Sequence, residues 1–244
     1  MKKSKAIIVL LLLLSFMLVS FSEIGIVKAE DTIYIMADGT VEGTNMIQRN
    51  GSVYTLTGSI YEKRIIVEKS SIIIDGNGHT FSGYPACLYG IYMFKVKDVT
   101  IKNMVIRNCL NGIFIEDSTH VTISGNTITE IPASFPPNPS AAIILRHGGF
   151  HTIVGNNITG NYVGIRFSSS SNNRIFHNNF INNHVDVYDP SWNYPQNTPS
   201  TNTWDNGNEG NYWSNYNGID SDGDGIGDTS YIYMVGNRFC LPPG

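Results

Sequence analysis

The middle of the chain alternates apolar and polar residues in short runs that recur along the sequence. In "VTISGNTITEI" at 121–131, "TIVGNNITGN" at 152–161 and "RIFHNNFINN" at 174–183, two such runs flank a polar corner. An alternation with a period of two residues is typical of strands that bury one face. The pattern therefore predicts short strands joined by tight corners.

Three rows of apolar residues recur every 22 residues, with one step of 30. The longer step contains a Pro-rich insert, "PASFPPNPS", at 132–140. The rows are Ile101, Ile123, Ile153 and Ile175; Ile106, Ile128, Ile158 and Phe180; and Ile91, Ile113, Ile143, Ile165 and Val187.

A repeat of this length with three short strands in each copy predicts a solenoid. The alternative, a leucine-rich repeat, needs a Leu framework and helical segments. Here the rows are mostly Ile and no stretch keeps a helical period. We therefore predict an all-β fold, a right-handed parallel β-helix of five or six coils with about 22 residues in each coil.

Three asparagines, Asn126, Asn156 and Asn178, occupy the same corner in successive copies. Asn tolerates the left-handed backbone conformation, and its amide can bond to an Asn in the next coil. Because an amide is a poor acid or base, we interpret these residues as a structural ladder and not as a catalytic set.

The N-terminus is typical of a secretory signal peptide. Lys2, Lys3 and Lys5 precede an apolar run at 6–21, and small residues allow cleavage before Glu30. The alternative is an uncleaved membrane anchor, which would be the chain's only contact with a membrane. Either interpretation places the rest of the chain outside the cytoplasm, in a secreted or cell-surface protein.

We expect four regions in this order: a signal peptide at 1–29, an N-terminal strand segment with the entry to the solenoid at 30–70, the coils at 71–190, and a C-terminal cap with the Asp-rich segment at 191–244. Trp204, Tyr212, Trp213 and Tyr216 lie in the last region, where their rings could cover the end of the core or stack on sugars. Because a solenoid must cover its open ends, we favour the cap.

The composition adds that only 15% of the 244 residues are charged, with a net charge of -4. This balance argues against nucleic acid as a partner, which would favour a basic patch. The chain contains 26 asparagines and 24 glycines, residue types that suit tight corners.

Two of the three cysteines are 22 residues apart. Cys87 and Cys109 each precede an Ile of the third row by four residues, so they should stack in adjacent coils. Export would permit a disulfide between them, and a close reduced pair is the alternative. The third, Cys240, would then remain free or pair with another chain.

The C-terminal region contains "DSDGDGIGD" at 220–228, which we call the Asp-rich loop. Asp220, Asp222, Asp224 and Asp228 match positions 1, 3, 5 and 9 of a calcium-binding loop. Tyr231 stands at position 12, where a bidentate acid is expected, so the loop is not an EF-hand. The pattern predicts a structural Ca²⁺ site, with a solvated turn as the alternative.

The third row of strands also predicts a stripe of outward-facing side chains. If Ile113 and Ile115 point inward, the alternation turns the residue between them outward. The stripe is Tyr92, Phe114, Ile144, Arg166 and Tyr188. Aromatic rings beside an Arg would suit a polysaccharide, and ordinary stacking between coils is the alternative.

A second outward row contains Phe94, Glu116, Arg146 and Ser168. Glu116 and Arg146 should form an ion pair between adjacent coils. A lyase or glycoside hydrolase would need a clearer arrangement, because glycoside hydrolysis ordinarily uses two carboxylates, and no acid pair recurs between coils. An enzyme is therefore the less favoured interpretation, and no catalytic residue is assigned.

Segments at both ends of the chain carry a family resemblance. "TIYIMADGTVEGT" at 32–44, "YTLTGSIY" at 54–61 and "IIIDGNGHTFSG" at 72–83 resemble the opening segments of NosD-like proteins, which are exported right-handed β-helices. "NTWDNGNEGNYWSNYNGIDSDGDGIGDTSYIY" at 202–233 is similar to the closing segment of that family.

The resemblance implies the fold and leaves several functions open. The founding member is an accessory factor for a copper enzyme that reduces nitrous oxide, while other members share only the β-helix, also called a carbohydrate-binding and sugar-hydrolase domain. In this sequence His and Met do not cluster, which argues against copper. We expect an exported scaffold that binds carbohydrate, with an enzyme acting on polysaccharides or a NosD-like accessory protein as the alternatives.

Overall fold

Short strands form nearly all of the regular structure. The computed structural model describes residues 30–84, 86–133, 139–193, 199–221, 227–231, 233–235 and 238–240. The predicted signal peptide therefore lies outside the described residues. Within them, no helix is long and apolar enough to cross a membrane.

The strands follow one another at short intervals along the chain. In chain order they are β1 (Thr32–Ile35), β2 (Val41–Glu42), β3 (Ile47–Asn50), β4 (Val53–Leu56), β5 (Ile60–Tyr61), β6 (Arg64–Val67), β7 (Ile72–Asp75), β8 (Thr80–Ser82), β9 (Ile91–Phe94), β10 (Val99–Lys102), β11 (Val105–Arg107), β12 (Ile113–Glu116), β13 (Thr122–Ser124), β14 (Thr127–Thr129), β15 (Ile143–Arg146), β16 (Thr152–Val154), β17 (Asn157–Thr159), β18 (Val163–Ser168), β19 (Arg174–Phe176), β20 (Asn179–Ile181), β21 (Val185–Tyr188), β22 (Tyr212–Trp213), β23 (Tyr233–Val235) and β24 (Arg238–Cys240). A short 3₁₀ helix, Pro190–Asn193, follows β21.

Three long sheets run the length of the molecule. Sheet A has the order β2-β1-β6-β9-β12-β15-β18-β21, sheet B the order β19-β16-β13-β10-β7-β4-β3, and sheet C the order β22-β20-β17-β14-β11-β8-β5. The chain visits sheets B, C and A in turn six times, from β4–β6 to β19–β21. Neighbouring strands within these coils pair in parallel, which confirms the right-handed parallel β-helix.

The register of the strands confirms the three apolar rows. Ile113 aligns with Ile91 on one side and with Ile143 on the other. The same alignment holds for the Ile123 row in sheet B and the Ile128 row in sheet C. These side chains meet in one core between the sheets, where they are shielded from solvent.

The N-terminal segment at 30–70 already belongs to the sheets. Strand β1 pairs in parallel with β6, and β4 pairs in parallel with β7. Only the short strands β2 and β3 pair antiparallel with their neighbours in these sheets, among the residues that the structure describes. The parallel stack therefore starts at β1, within the segment that contains the predicted entry to the solenoid.

The Asn corner is a continuous hydrogen-bonded ladder. The side-chain Nδ2 of Asn126 donates to Oδ1 of Asn156 at 3.1 Å, and Nδ2 of Asn156 donates to Oδ1 of Asn178 at 2.9 Å. Asn178 continues the ladder to Asn211 in the same way at 3.0 Å. Each Oδ1 also accepts the backbone N–H one coil earlier. A buried amide with all of its partners stabilises the corner.

One detail of the sequence prediction is wrong. These asparagines do not adopt the left-handed conformation; the residue before each of them does, with φ of +63° at Gly125, +65° at Gly155 and +55° at His177. The chain turns at that preceding residue, which directs the Asn side chain into the corner where it meets its partners.

The fold contains two further ladders that the sequence prediction missed. At the corner between sheets C and A, Nδ2 of Asn161 donates to Oδ1 of Asn183 at 3.1 Å. At the corner between sheets A and B, the backbone N–H of Asn173 donates to Oδ1 of Asn202 at 3.1 Å. The 22-residue spacing from Asn161 to Asn183 was the signal in the sequence.

Aromatic rings close the C-terminal end of the core. Trp213 stacks on Phe180 with ring centroids 4.3 Å apart, and Tyr231 stacks on the other side of Trp213 at 4.6 Å. Trp204 packs against Phe167 in an edge-on arrangement. The last coil is therefore covered by the predicted aromatic cap, as a solenoid end requires.

Candidate functional site on the outer face of sheet A

The predicted outward stripe lies on the outer face of sheet A in the expected order. Phe114 aligns with Tyr92 and Ile144, and Arg166 aligns with Ile144 and Tyr188. Phe114 packs in a hydrophobic cluster separate from the core between the sheets. The prediction of side-chain direction is therefore correct.

The expected exposure of the stripe is wrong in its centre. Phe114 is only 5% exposed and Ile144 only 2%, so neither offers a free face to a sugar. The ring of Tyr89 stacks on Phe114 at 4.7 Å, and the Arg166 guanidinium donates to the Pro139 carbonyl at 3.3 Å. Segments from the corners fold back over the sheet, which strand alternation alone does not predict.

Beside the buried centre of the stripe, the second outward row contains an exposed aromatic ring, that of Phe94. The ring of Phe94 is 42% exposed and lies parallel to the ring of Tyr92, with an interplanar angle of 9° and centroids 6.4 Å apart. The Lys95 ammonium lies 4.8 Å from the centre of the Phe94 ring. A flat ring with one face in solvent and a cation beside it is a feature of sites that bind polar organic ligands.

Glu116 joins the two outward rows. Its carboxylate accepts a hydrogen bond from the Tyr92 hydroxyl at 2.8 Å and pairs with the Arg146 guanidinium at 3.4 Å, which confirms the predicted ion pair. Burial raises the pKa of Tyr92, and the hydrogen bond to Glu116 adds to the effect. The Tyr92 phenol therefore remains protonated and holds the Glu116 carboxylate in place.

The next position along these strands carries a second acid. Asp117 lies 3.2 Å from Nδ1 of His147 in the adjacent coil, and both residues adopt the left-handed conformation at the corner. Together, Phe94, Lys95, Glu116, Asp117, Arg146 and His147 form a patch across three coils, which we call the sheet A edge patch. Glu116 forms an ion pair with Arg146, and Asp117 lies within hydrogen-bonding distance of the His147 ring.

A buried histidine near this patch was missed by the sequence prediction. His151 is 1% exposed, and its backbone N–H donates to Oδ1 of Asn173. Its Nδ1 accepts the Val121 N–H at 3.1 Å, which places the proton of the neutral ring on Nε2. That Nε2 has no hydrogen-bond partner among the described residues.

His151 thus occupies a ladder position in which the following coils have Asn. Burial lowers its pKa from the usual 6.5 to about 4, and the charge of His120 contributes further. Nδ1 carries no proton while it accepts the Val121 N–H, so a metal at Nε2 would have to replace the last ring proton. This histidine therefore does not fit a metal ligand. The 22-residue spacing from His151 to Asn173 was the signal for its role in the ladder.

The two cysteines of the coils lie in contact as free thiols. Cys87 and Cys109 are buried, and each thiol donates to a backbone carbonyl oxygen, Cys87 to that of Tyr89 at 2.9 Å and Cys109 to that of Arg107 at 3.4 Å. Both are free thiols in this structure, and the disulfide between them stays a prediction. The backbone of Cys240 belongs to β24.

The Asp-rich loop is only partly described. Asp222 and Asp224 lie outside the described residues. The Asp228 carboxylate accepts the Ser221 N–H at 2.7 Å, and the Asp228 N–H donates to the Ile219 carbonyl at 2.8 Å, so the loop closes on itself. The hydrogen bonds from Ser221 lower the pKa of Asp228. The calcium site itself stays a prediction.

Within the part of the chain that the structure describes, no group of three or more His, Cys, Asp or Glu side chains is arranged to hold a metal ion.

The fold defines a right-handed parallel β-helix protein. A family model described as "Periplasmic copper-binding protein (NosD)" matches residues 20–218, and the chain belongs to this family. The resemblance seen in the sequence is thereby confirmed.

Two curated sequences are similar over part of their length. Both are described as "Probable ABC transporter binding protein NosD", one from Stutzerimonas stutzeri and one from Pseudomonas aeruginosa. Each is 31% identical to this chain over 129 and 128 residues respectively, which is 49% of this chain but 28% of the relative. The chain therefore matches little more than a quarter of these longer relatives. No solved structure matches.

Proposed function

We propose that this chain is an exported accessory protein of the cell envelope that binds copper on behalf of a partner and performs no reaction of its own. The observation that carries the proposal is the family match over residues 20–218, which includes all six coils. The description of that family as periplasmic agrees with the positive, apolar N-terminus of this sequence.

The architecture supports a binding role. A parallel β-helix held by hydrogen-bonded Asn ladders is a rigid rod, and a rigid surface binds a partner without paying an ordering cost. The acids of the sheet A edge patch are paired with Arg146 and His147. Paired acids are suited to shaping a surface, whereas glycoside hydrolysis needs one acid as a proton donor and another that is free to attack or activate water.

The test is a measurement of bound copper on the mature protein. The chain is produced with its N-terminus so that it can be exported, purified from cells grown with copper, and analysed for metal. The purified protein is then titrated with Cu(I) under anaerobic conditions and with Cu(II) in air. We expect a stoichiometric amount of copper to stay with the folded protein and to be released on unfolding. Absence of retained copper in both oxidation states would refute the proposal.

The carbohydrate prediction remains as a second candidate function, and the exposed ring of Phe94 favours it. The ring could stack on a sugar face while Glu116 and Arg146 bond to hydroxyl groups. A glycan array of the mature protein tests this, with Phe94→Ala as the variant. Phe150→Ala is the matched control, because Phe150 is 56% exposed but stacks on His120 at another corner.

We expect binding to be lost in Phe94→Ala and kept in Phe150→Ala. Equal binding by both variants would move the sugar site away from the sheet A edge patch, and no binding by the wild-type protein would remove the second candidate.

A further inference from the structure

The chain contains two Asn-X-Ser/Thr triplets, the pattern that N-linked glycosylation requires. They are "NGS" at 50–52 and "NIT" at 157–159. The pattern is short, so by itself it does not separate an acceptor from a chance match. The fold does separate the two triplets, because a glycan is attached to exposed segments at the surface.

The first triplet forms the tip of the hairpin between β3 and β4. Asn50 pairs with Val53 across the two strands, so Gly51 and Ser52 are the two residues of the turn. The φ of Gly51 is +61°, as a tight hairpin turn requires, and a Cβ atom at Gly51 would meet nothing within 4 Å. All three residues of the triplet are exposed, so the tip projects into solvent.

The hairpin is held in place while its acceptor amide stays free. Nε of Arg49 donates to the Gly51 carbonyl at 2.9 Å, and Nη1 of the same side chain donates to the Gly39 carbonyl at 2.9 Å. The Asn50 side chain has no hydrogen-bond partner among the residues that the structure describes. An enzyme can therefore reach the Asn50 amide and the Ser52 hydroxyl without separating any two strands.

The second triplet lies inside sheet C. It forms the whole of β17, which pairs with β14 on one side and with β20 on the other. Oδ1 of Asn157 accepts a hydrogen bond from Nδ2 of Asn179 at 2.7 Å, and Ile158 is buried in the core. A strand that is bonded on both sides cannot leave the sheet to enter the active site of an enzyme. In the folded protein this triplet is therefore closed to modification.

We propose that Asn50, and not Asn157, carries an N-linked glycan in the exported protein. The donor is an oligosaccharide bound through phosphate to a membrane lipid. Nδ2 of Asn50 loses one proton and forms a bond to C1 of the first sugar, while the bond between C1 and the phosphate breaks and the lipid phosphate leaves. No electron is transferred. The inference rests on the exported location in the proposed function and does not depend on copper.

The test is mass spectrometry of peptides from the protein as its own organism produces it. The cells are separated into a cytoplasmic fraction and a fraction that combines the envelope and the medium. The matched reference is the same chain produced in a bacterium that has no N-glycosylation. We expect the exported peptide with Asn50 to be heavier than the reference by whole sugar residues and to release sugar ions on fragmentation. The peptide with Asn157 should have the reference mass.

Two matched variants, made in the same organism, test the triplets themselves. Ser52→Ala removes the hydroxyl that the first triplet requires and should abolish the added mass. Thr159→Ala removes the hydroxyl of the second triplet and should leave the added mass unchanged. Neither side chain belongs to the buried core, so both variants should keep the fold.

Three results would overturn the site: a bare Asn50 in the exported protein, an added mass on Asn50 that persists in Ser52→Ala, or equal modification of Asn50 and Asn157. Each of these results leaves the exported location standing. Protein that is found only in the cytoplasmic fraction would refute the exported location together with the site.

Discussion

His151 predicts an acid-sensitive fold, and the size of the effect can be worked out from its surroundings. The neutral ring accepts the Val121 N–H and is sealed from solvent. Protonation would place a charge in a buried site. It would also put a proton on Nδ1, where it would repel the Val121 N–H that now donates to this atom. The folded protein therefore resists protonation until the pH falls to about 4, although the unfolded chain takes up the proton near 6.5.

The sign follows from this difference. Because the folded pKa lies below the unfolded one, the stability contributed by neutral His151 is complete above about pH 6.5 and is lost as the pH falls toward about 4. One pKa unit corresponds to about 1.4 kcal/mol, so the shift is worth at most about 3.5 kcal/mol. Between about pH 7.5 and about pH 4.5, the loss from this one group should be about 2.5 kcal/mol.

The assay is urea unfolding of the wild type and of His151→Asn at both pH values. Asn is the residue that the following coils use at this position, so its Oδ1 can accept the Val121 N–H without a titrating ring. We expect the variant to lose about 2.5 kcal/mol less than the wild type on acidification, because every other titrating group is common to both proteins.

The control is His120→Asn, which removes the exposed histidine that faces His151 and should leave most of the acid-dependent loss in place. If His151→Asn and the wild type lose the same free energy of unfolding on acidification, the buried ring is not the source, and the reasoning from its hydrogen bonds fails.

Three further predictions concern the ladder, the cap and the Asp-rich loop. Asn156→Ala should lower the free energy of unfolding in urea by about 3 kcal/mol, because the buried groups that bond to its amide lose their partner. Asn157→Ala, on the exposed side of the same corner, should lower it little. Similar losses in the two variants would contradict the ladder. Trp213→Ala should lower the free energy of unfolding by about 3–5 kcal/mol, because Trp213 stacks on Phe180 at the end of the core. Tyr212→Ala should lower it much less, because Tyr212 is 59% exposed. An unchanged stability of Trp213→Ala would mean that the stack does not seal the core. Millimolar Ca²⁺ should stabilise the folded protein and raise its melting temperature relative to EDTA. At a hundredfold excess over Kd, binding adds about 2.7 kcal/mol to the free energy of unfolding, and identical melting temperatures would refute the calcium site.

The fold was predictable because it repeats. Each inward Ile occurs at the same place in every coil, so a single strand-period pattern, read at a spacing of 22, fixes the register of all three sheets. The direction of Phe114 followed from the same alternation. Its burial did not, because the rings and carbonyls that cover it come from corners whose path depends on packing and not on strand period.

Departures from the repeat contain most of the information about chemistry. A solenoid can satisfy a corner with Asn in coil after coil, so a His at such a position replaces an amide with a group that titrates. Its second nitrogen finds no partner among the residues that the structure describes. In the same way, two thiols at equivalent positions replace side chains that would only fill the core. The spacing indicates both positions, but the acid sensitivity of the histidine depends on its burial. Burial removes the group from water, which periodicity along a chain does not measure.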